Sequence, residues 1–143
     1  MKKLALTDFA KYRYPSALEL SPDGRYLTFA LKEVDREGDG YRWNLWLYDL
    51  ESRESRQITR GDDQRQAVWE DNTHILYKTT ELDEAMRARG FEEEWTVYHR
   101  LNVCTGEERE AFRLPMSVSG LWKMDEGRYV FTGETHLDRP NLL

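Results

Sequence analysis

Three histidines, His74, His99 and His136, are the side chains best suited to take up a proton near neutral pH. A nucleophilic site would set one of them beside a serine or cysteine, with a carboxylate to orient the ring. One string, Ser117-Val118-Ser119-Gly120, could suggest a nucleophile turn. It lacks the leading glycine of a Gly-x-Ser-x-Gly elbow, and it runs into Leu121-Trp122-Lys123 where such an elbow would open a helix. The histidines fall in or beside strand-like segments, as surface or edge-of-core side chains do. No catalytic residue is assigned.

Metal chemistry finds no ligand set. The histidines are 25 (74 to 99) and 37 (99 to 136) residues apart, and no Cys-x-x-Cys or His-x-x-x-His occurs. The acidic stretch Asp35-Arg36-Glu37-Gly38-Asp39-Gly40 has a calcium-loop flavour, but Trp46 stands where the twelfth-position Glu is required. A solvated hairpin loop is expected there. Cys104 is the sole cysteine, so no internal disulfide can form. It sits beside a Thr105-Gly106 turn with Arg100 and Arg109 as its nearest cations in sequence, and is expected to be structural. No metal and no cofactor is assigned.

The elements that carry these residues repeat. Asp23-Gly24-Arg25-Tyr26-Leu27-Thr28-Phe29, Asp71-Asn72-Thr73-His74-Ile75-Leu76-Tyr77 and Asp125-Glu126-Gly127-Arg128-Tyr129-Val130-Phe131 each pass from a polar turn into a strand ending in an aromatic. The aromatics are spaced by 48 (29 to 77) and 54 (77 to 131) residues, against about 40–50 for propeller blades. Between them lie two hairpin patterns, Leu45–Leu50 with Gln57–Thr59 and Val97–Val103 with Ala111–Phe112. An aromatic content of 13% suits pleated sheets. Leu45, Leu47 and Asp49 fall on one side of a strand and Trp46, Tyr48 and Leu50 on the other, so both sides are largely apolar.

The pattern predicts an all-β chain, a partial β-propeller of about two and a half four-stranded antiparallel blades. Blade one covers about residues 16–60, with strands near Ala17–Leu20, Tyr26–Leu31, Asn44–Leu50 and Ser55–Thr59. Blade two covers about 65–113, with strands near Gln66–Trp69, His74–Thr79, Trp95–Val103 and Arg109–Phe112. Blade three starts at about 117–143, with strands near Val118–Lys123 and Tyr129–Thr132. One short helix is expected near 82–89, with Thr80 and Asp83 as its N-terminal capping pair and Gly90 ending it. No linker marks a domain boundary. Since propellers close with about four to eight blades, the polypeptide is expected to continue past Leu143. Open sheet edges would favour self-association.

At Tyr14-Pro15-Ser16-Ala17-Leu18-Glu19-Leu20-Ser21-Pro22-Asp23-Gly24-Arg25-Tyr26-Leu27-Thr28-Phe29 the chain resembles the first propeller blade of the prolyl oligopeptidase family of serine peptidases, in its acylaminoacyl-peptidase-like bacterial branch. Asn44–Leu50, Arg56–Gly61 and Trp69–Thr73 extend the resemblance over nearly the whole chain. It implies a non-catalytic propeller that gates peptide access to an α/β-hydrolase domain, absent from these residues, which would carry the Ser, Asp and His. Ser-Pro-Asp-Gly turns also occur in non-catalytic propellers, so a protein-binding module is the alternative. In the dipeptidyl-peptidase branch a Glu pair on a propeller insertion binds the substrate amino terminus. By that resemblance Glu92-Glu93-Glu94 could hold an ammonium; otherwise it is an exposed acidic loop.

Twenty-one basic and 27 acidic residues give a net charge of −6, which disfavours nucleic acid as a partner. No apolar run reaches membrane-spanning length, so no membrane partner is expected. The apolar start stops at Thr7-Asp8, too short for a signal peptide core, and one cysteine suits a reducing compartment. The expected location is the cytoplasm, and peptides would be met through the absent hydrolase domain.

Overall fold

The computed structural model describes residues 5–125 and 127–135. They fall into two compact units, Met1–Ala67 and Val68–Leu143. The first holds a 3₁₀ helix, Leu6–Lys11, and one antiparallel sheet of β1 (Arg13–Leu20), β2 (Tyr26–Asp35), β3 (Gly40–Asp49) and β4 (Glu54–Gln57), ordered as in sequence. The second holds an antiparallel sheet of β5 (Val68–Trp69), β6 (His74–Leu82), β7 (Glu94–Asn102) and β8 (Glu108–Leu114), again in sequence order. A two-stranded antiparallel sheet follows, β9 (Ser117–Asp125) with β10 (Arg128–Glu134). Three antiparallel sheets of four, four and two strands follow one another along the chain, an all-β, propeller-blade-like architecture.

Several strands outrun the sequence expectation. β2 continues to Asp35 and β3 begins at Gly40 because the polar segment pairs across the hairpin, Lys32 with Trp43 and Glu33 with Arg42. Lys32 Nζ lies 3.8 Å from the Tyr41 ring centroid, a cation–π contact that supports the extension. Asp35 then accepts the Glu37 N–H in the solvated turn.

Local turn chemistry explains the entry to blade one. Ser21 donates to Asp23 Oδ1 at 2.6 Å and accepts the Tyr26 N–H at 2.9 Å, while Gly24 takes φ +73°. The single α-helix, α1, spans Glu84–Ala88. Its cap corrects the expected pair: Asp83 alone accepts the N–H groups of Ala85 and Met86, and Thr80 belongs to β6 opposite Thr96. The strand reaches Leu82, which leaves Thr80 too early to cap. Gly90 adopts φ +85°, as a residue just past a helix end should.

In the first unit Thr28, Ala30, Leu45 and Leu47 share the fully buried face, and Phe29 stacks on Trp46 on the other. The segment after β4 is held by side chains. Thr59 Oγ1 accepts the Leu45 N–H at 2.8 Å, and Asn44 exchanges hydrogen bonds with Asp62 through its Nδ2 and Oδ1.

The second unit has its core between its two sheets. Leu76 and Tyr98 meet Val118 and Leu121, with Phe112 stacked on Tyr98 at a centroid distance of 5.0 Å. One buried hydroxyl bridges the seam. Thr96 Oγ1 donates to the Met116 carbonyl at 2.8 Å and accepts the Val118 N–H at 3.0 Å. Thr96→Val keeps the volume and leaves both backbone groups unpaired, so it is expected to destabilise the second unit by about 1–3 kcal/mol. Urea denaturation followed by Trp fluorescence checks this, and Thr96→Ser should retain most of the stability.

Candidate functional site

Chemistry-bearing side chains gather at the two ends of the second unit's strands. At the end reached by the C-terminus of β6, the 83–93 insertion frames a cavity of about 850 Å³. Leu82, Arg87 and Phe91 border it together with Glu92, Glu93 and Glu94. Glu134 borders it as well. The acidic run is not a uniformly exposed loop: Glu92 is exposed, Glu93 is buried, and Glu94 opens β7 half-buried. The Glu93 carbonyl accepts the Asp83 N–H at 2.8 Å and so closes the insertion at its neck.

At the opposite end, where β6 begins, Glu70 is the organising residue. Its side chain is 11% exposed. Arg100 grips it bidentately, with Nη2 to Oε1 at 2.7 Å and Nε to Oε2. The Tyr129 hydroxyl donates to the same Oε1 at 2.6 Å, and Lys123 Nζ donates to the Glu70 carbonyl. Burial pushes the Glu70 carboxyl up, but the bonds from Arg100 and Tyr129 outweigh it and hold the group below its ordinary value. Tyr129 moves the other way, pushed up to about 12 by burial and then by its bond to Glu70. Sequence reading did not single out Glu70. The usable signal was its place in the repeat: it occupies the position that Ser21 holds before the first blade's turn, and it keeps the same backbone bond, Glu70 N–H to the His74 carbonyl as Ser21 N–H to that of Tyr26.

His74 starts β6, with Nδ1 3.0 Å from Asp71. His99 lies on β7, its Nε2 2.8 Å from Thr79 Oγ1 and its ring stacked on Tyr77 at 5.3 Å. Thr79, His99 and Glu108 follow the order of a nucleophilic triad. However, Glu108 is 3.8 Å from Nδ1, beyond hydrogen-bonding reach, and Tyr77 covers the ring face. The cluster ties β6, β7 and β8 together. His136 lies outside the described residues. The Ser117–Gly120 string is strand β9, with Ser119 Oγ 2.8 Å from the Thr132 hydroxyl, so it forms no elbow. Cys104, expected to be structural, is exposed in a turn where Asn102 Oδ1 accepts its N–H. No group of three metal-ligating side chains exists among the described residues, and none of the described helices is long and apolar enough to cross a membrane.

The depressed Glu70 carboxyl contributes stability that is complete above its ordinary value of 4.5 and is lost as pH falls through its lower folded value. Acidification from about pH 7 to about pH 3 is therefore expected to destabilise the parent protein more than Glu70→Gln, measured by chemical denaturation across that window.

No family model matches this sequence, and no curated protein matches it. Solved structures do match in fold. The β-propeller domain of the Trilobed protease from Pyrococcus furiosus superposes with a TM-score of 0.60 at 14% identity, over 86% of this chain and 34% of that one. An acylaminoacyl peptidase from Pyrococcus horikoshii superposes with a TM-score of 0.65 at 14% identity, over 93% of this chain and 19% of that one. The chain thus spans about a third and about a fifth of the two chains it matches. Both agree with the resemblance carried by the Ser-Pro-Asp-Gly blade, and the chain has the β-propeller blade fold found in these peptidases.

Proposed function

We propose that this chain is the propeller portion of a prolyl oligopeptidase-type serine peptidase. In this reading the blades screen which peptides reach a hydrolase domain encoded elsewhere in the same polypeptide. The observation that carries it is the pair of successive four-stranded blades, entered through a Ser-Pro-Asp-Gly turn, that superpose on structures of two peptidases. An antiparallel sheet is a stiff scaffold, and a part that limits entry by size needs no catalytic group of its own.

The acidic cavity framed by the 83–93 insertion supplies a point of peptide contact. The exposed carboxylates of Glu92 and Glu134 border it, and a carboxylate there suits a cationic group such as a peptide's terminal ammonium. The lone cysteine fits a cytoplasmic location.

The purified chain is expected to show no turnover of chromogenic aminoacyl substrates that is sensitive to serine-directed inhibitors. The product of its full reading frame is expected to be labelled by a fluorophosphonate at a serine outside residues 1–143. Labelling within these residues, or a full-length product that no fluorophosphonate labels, would refute the reading. The latter result would favour a protein-binding propeller.

A further inference from the structure

The recess around Glu70 carries an arrangement that its own internal bonds do not account for. In the β7–β8 ladder Arg100 stands directly opposite Arg109. Side chains so placed have Cβ atoms about 4.5–5.5 Å apart, and like charges there repel. Arg100 is neutralised by Glu70. Arg109 is exposed and has no ion pair among the described residues. A third cation, Lys123, reaches in from β9, and among the described residues it donates to the neutral Glu70 carbonyl. An ammonium has three donors and keeps its full charge in such a bond.

Two carboxylates also border the recess, and both accept internal hydrogen bonds. Glu70 is taken by Arg100 and Tyr129. Asp71 accepts the backbone N–H groups of Thr73 and His74, each at 2.8 Å, as well as His74 Nδ1. The space is about 630 Å³, bordered by Glu70, Asp71, Arg100, Arg109, Lys123 and Tyr129, with a smaller recess of about 200 Å³ beside it that Glu107 also borders. Three cations, Arg100, Arg109 and Lys123, thus face two carboxylates, Glu70 and Asp71, around one concavity of a chain whose net charge is −6.

We propose that this recess binds a carboxylate- or phosphate-type oxyanion, held by the Arg109 guanidinium and the Lys123 ammonium beside the fixed Arg100–Glu70 pair. An anion there would relieve the like-charge pair and use the planar fork of Arg109, which matches two oxygens at once. The volume admits a free phosphate or the carboxylate end of a short peptide. The inference is independent of the peptidase reading.

The test is a titration of the isotope-labelled full chain at fixed ionic strength, with backbone amide shifts as readout. The probes are inorganic phosphate, N-acetyl-dialanine with a free carboxylate, and the carboxamide of the same peptide. At least one oxyanion is expected to give saturable shifts at Arg100, Arg109 and Lys123, with a dissociation constant of about 1 mM or tighter. The carboxamide is expected to give none. Tighter binding of the acetylated peptide assigns the site to a peptide end, and tighter binding of phosphate assigns it to free phosphate. Arg109→Gln should weaken binding about tenfold, while leaving anion-free stability equal to or above the parent because the like-charge pair is gone. If that variant does not fold, Lys123→Gln gives the same reading. Absence of saturable shifts with both anions, or unchanged binding in the folded variant, overturns the proposal.

Discussion

A sheet that is apolar on both faces cannot stand by itself in water, and that constraint shapes the second unit of this chain. Ile75, Leu76 and Tyr77 are consecutive in β6 and all buried, as are Thr96, Val97 and Tyr98 in β7. Successive strand residues point to opposite sides, so both sides of β6–β7 are withdrawn from solvent. On one side the cover is the β9–β10 sheet, packed through Val118 and Leu121. Each such side chain is worth about 1.5–3 kcal/mol when fully buried. The polar cost at the seam falls on backbone groups, and Thr96 offsets it by serving one donor and one acceptor with a single hydroxyl.

The same arrangement sorts polar chemistry to the strand ends. In the second unit the middle of the sheet is buried, so charged residues collect where hairpins turn. One end receives the long β6–β7 insertion with its acidic mouth. The other receives the tight turns after β5, β7 and β9, with Glu70 as their anchor and cations around it. Two cavities of opposite character therefore arise from one topology. The strand bodies between them carry internal ties such as the Tyr77–His99–Thr79 cluster.

The blade plan was legible in the sequence because its signals are local. The Ser21–Gly24 turn, the alternation through Leu45 and Leu47, and the glycine past α1 each act within a few residues. What was not legible depends on distant partners. Glu70 meets Arg100 and Tyr129, separated by 30 and 59 residues, so nothing near it in the chain announces its role. Arg100 faces Arg109 only because a bulge between Tyr98 and His99 shifts the β7–β8 register. Strand ends were drawn short where Lys32, Glu33 and Arg42 made the chain polar, although cross-strand pairing carries the hairpin on. The capping residue was misplaced by the same effect, since β6 continues to Leu82 and leaves Asp83 as the first free position.

The stacking of the β9–β10 sheet on the β5–β8 sheet is the claim on which the blade description rests, and nuclear Overhauser contacts test it most directly. Side-chain contacts from Leu76 and Tyr98 to Val118 and Leu121 are expected in the solution spectrum of the chain. Slow hydrogen exchange is expected at the Val118 amide. A spectrum in which those contacts are missing and residues 117–134 exchange at the rate of an unfolded peptide would contradict it.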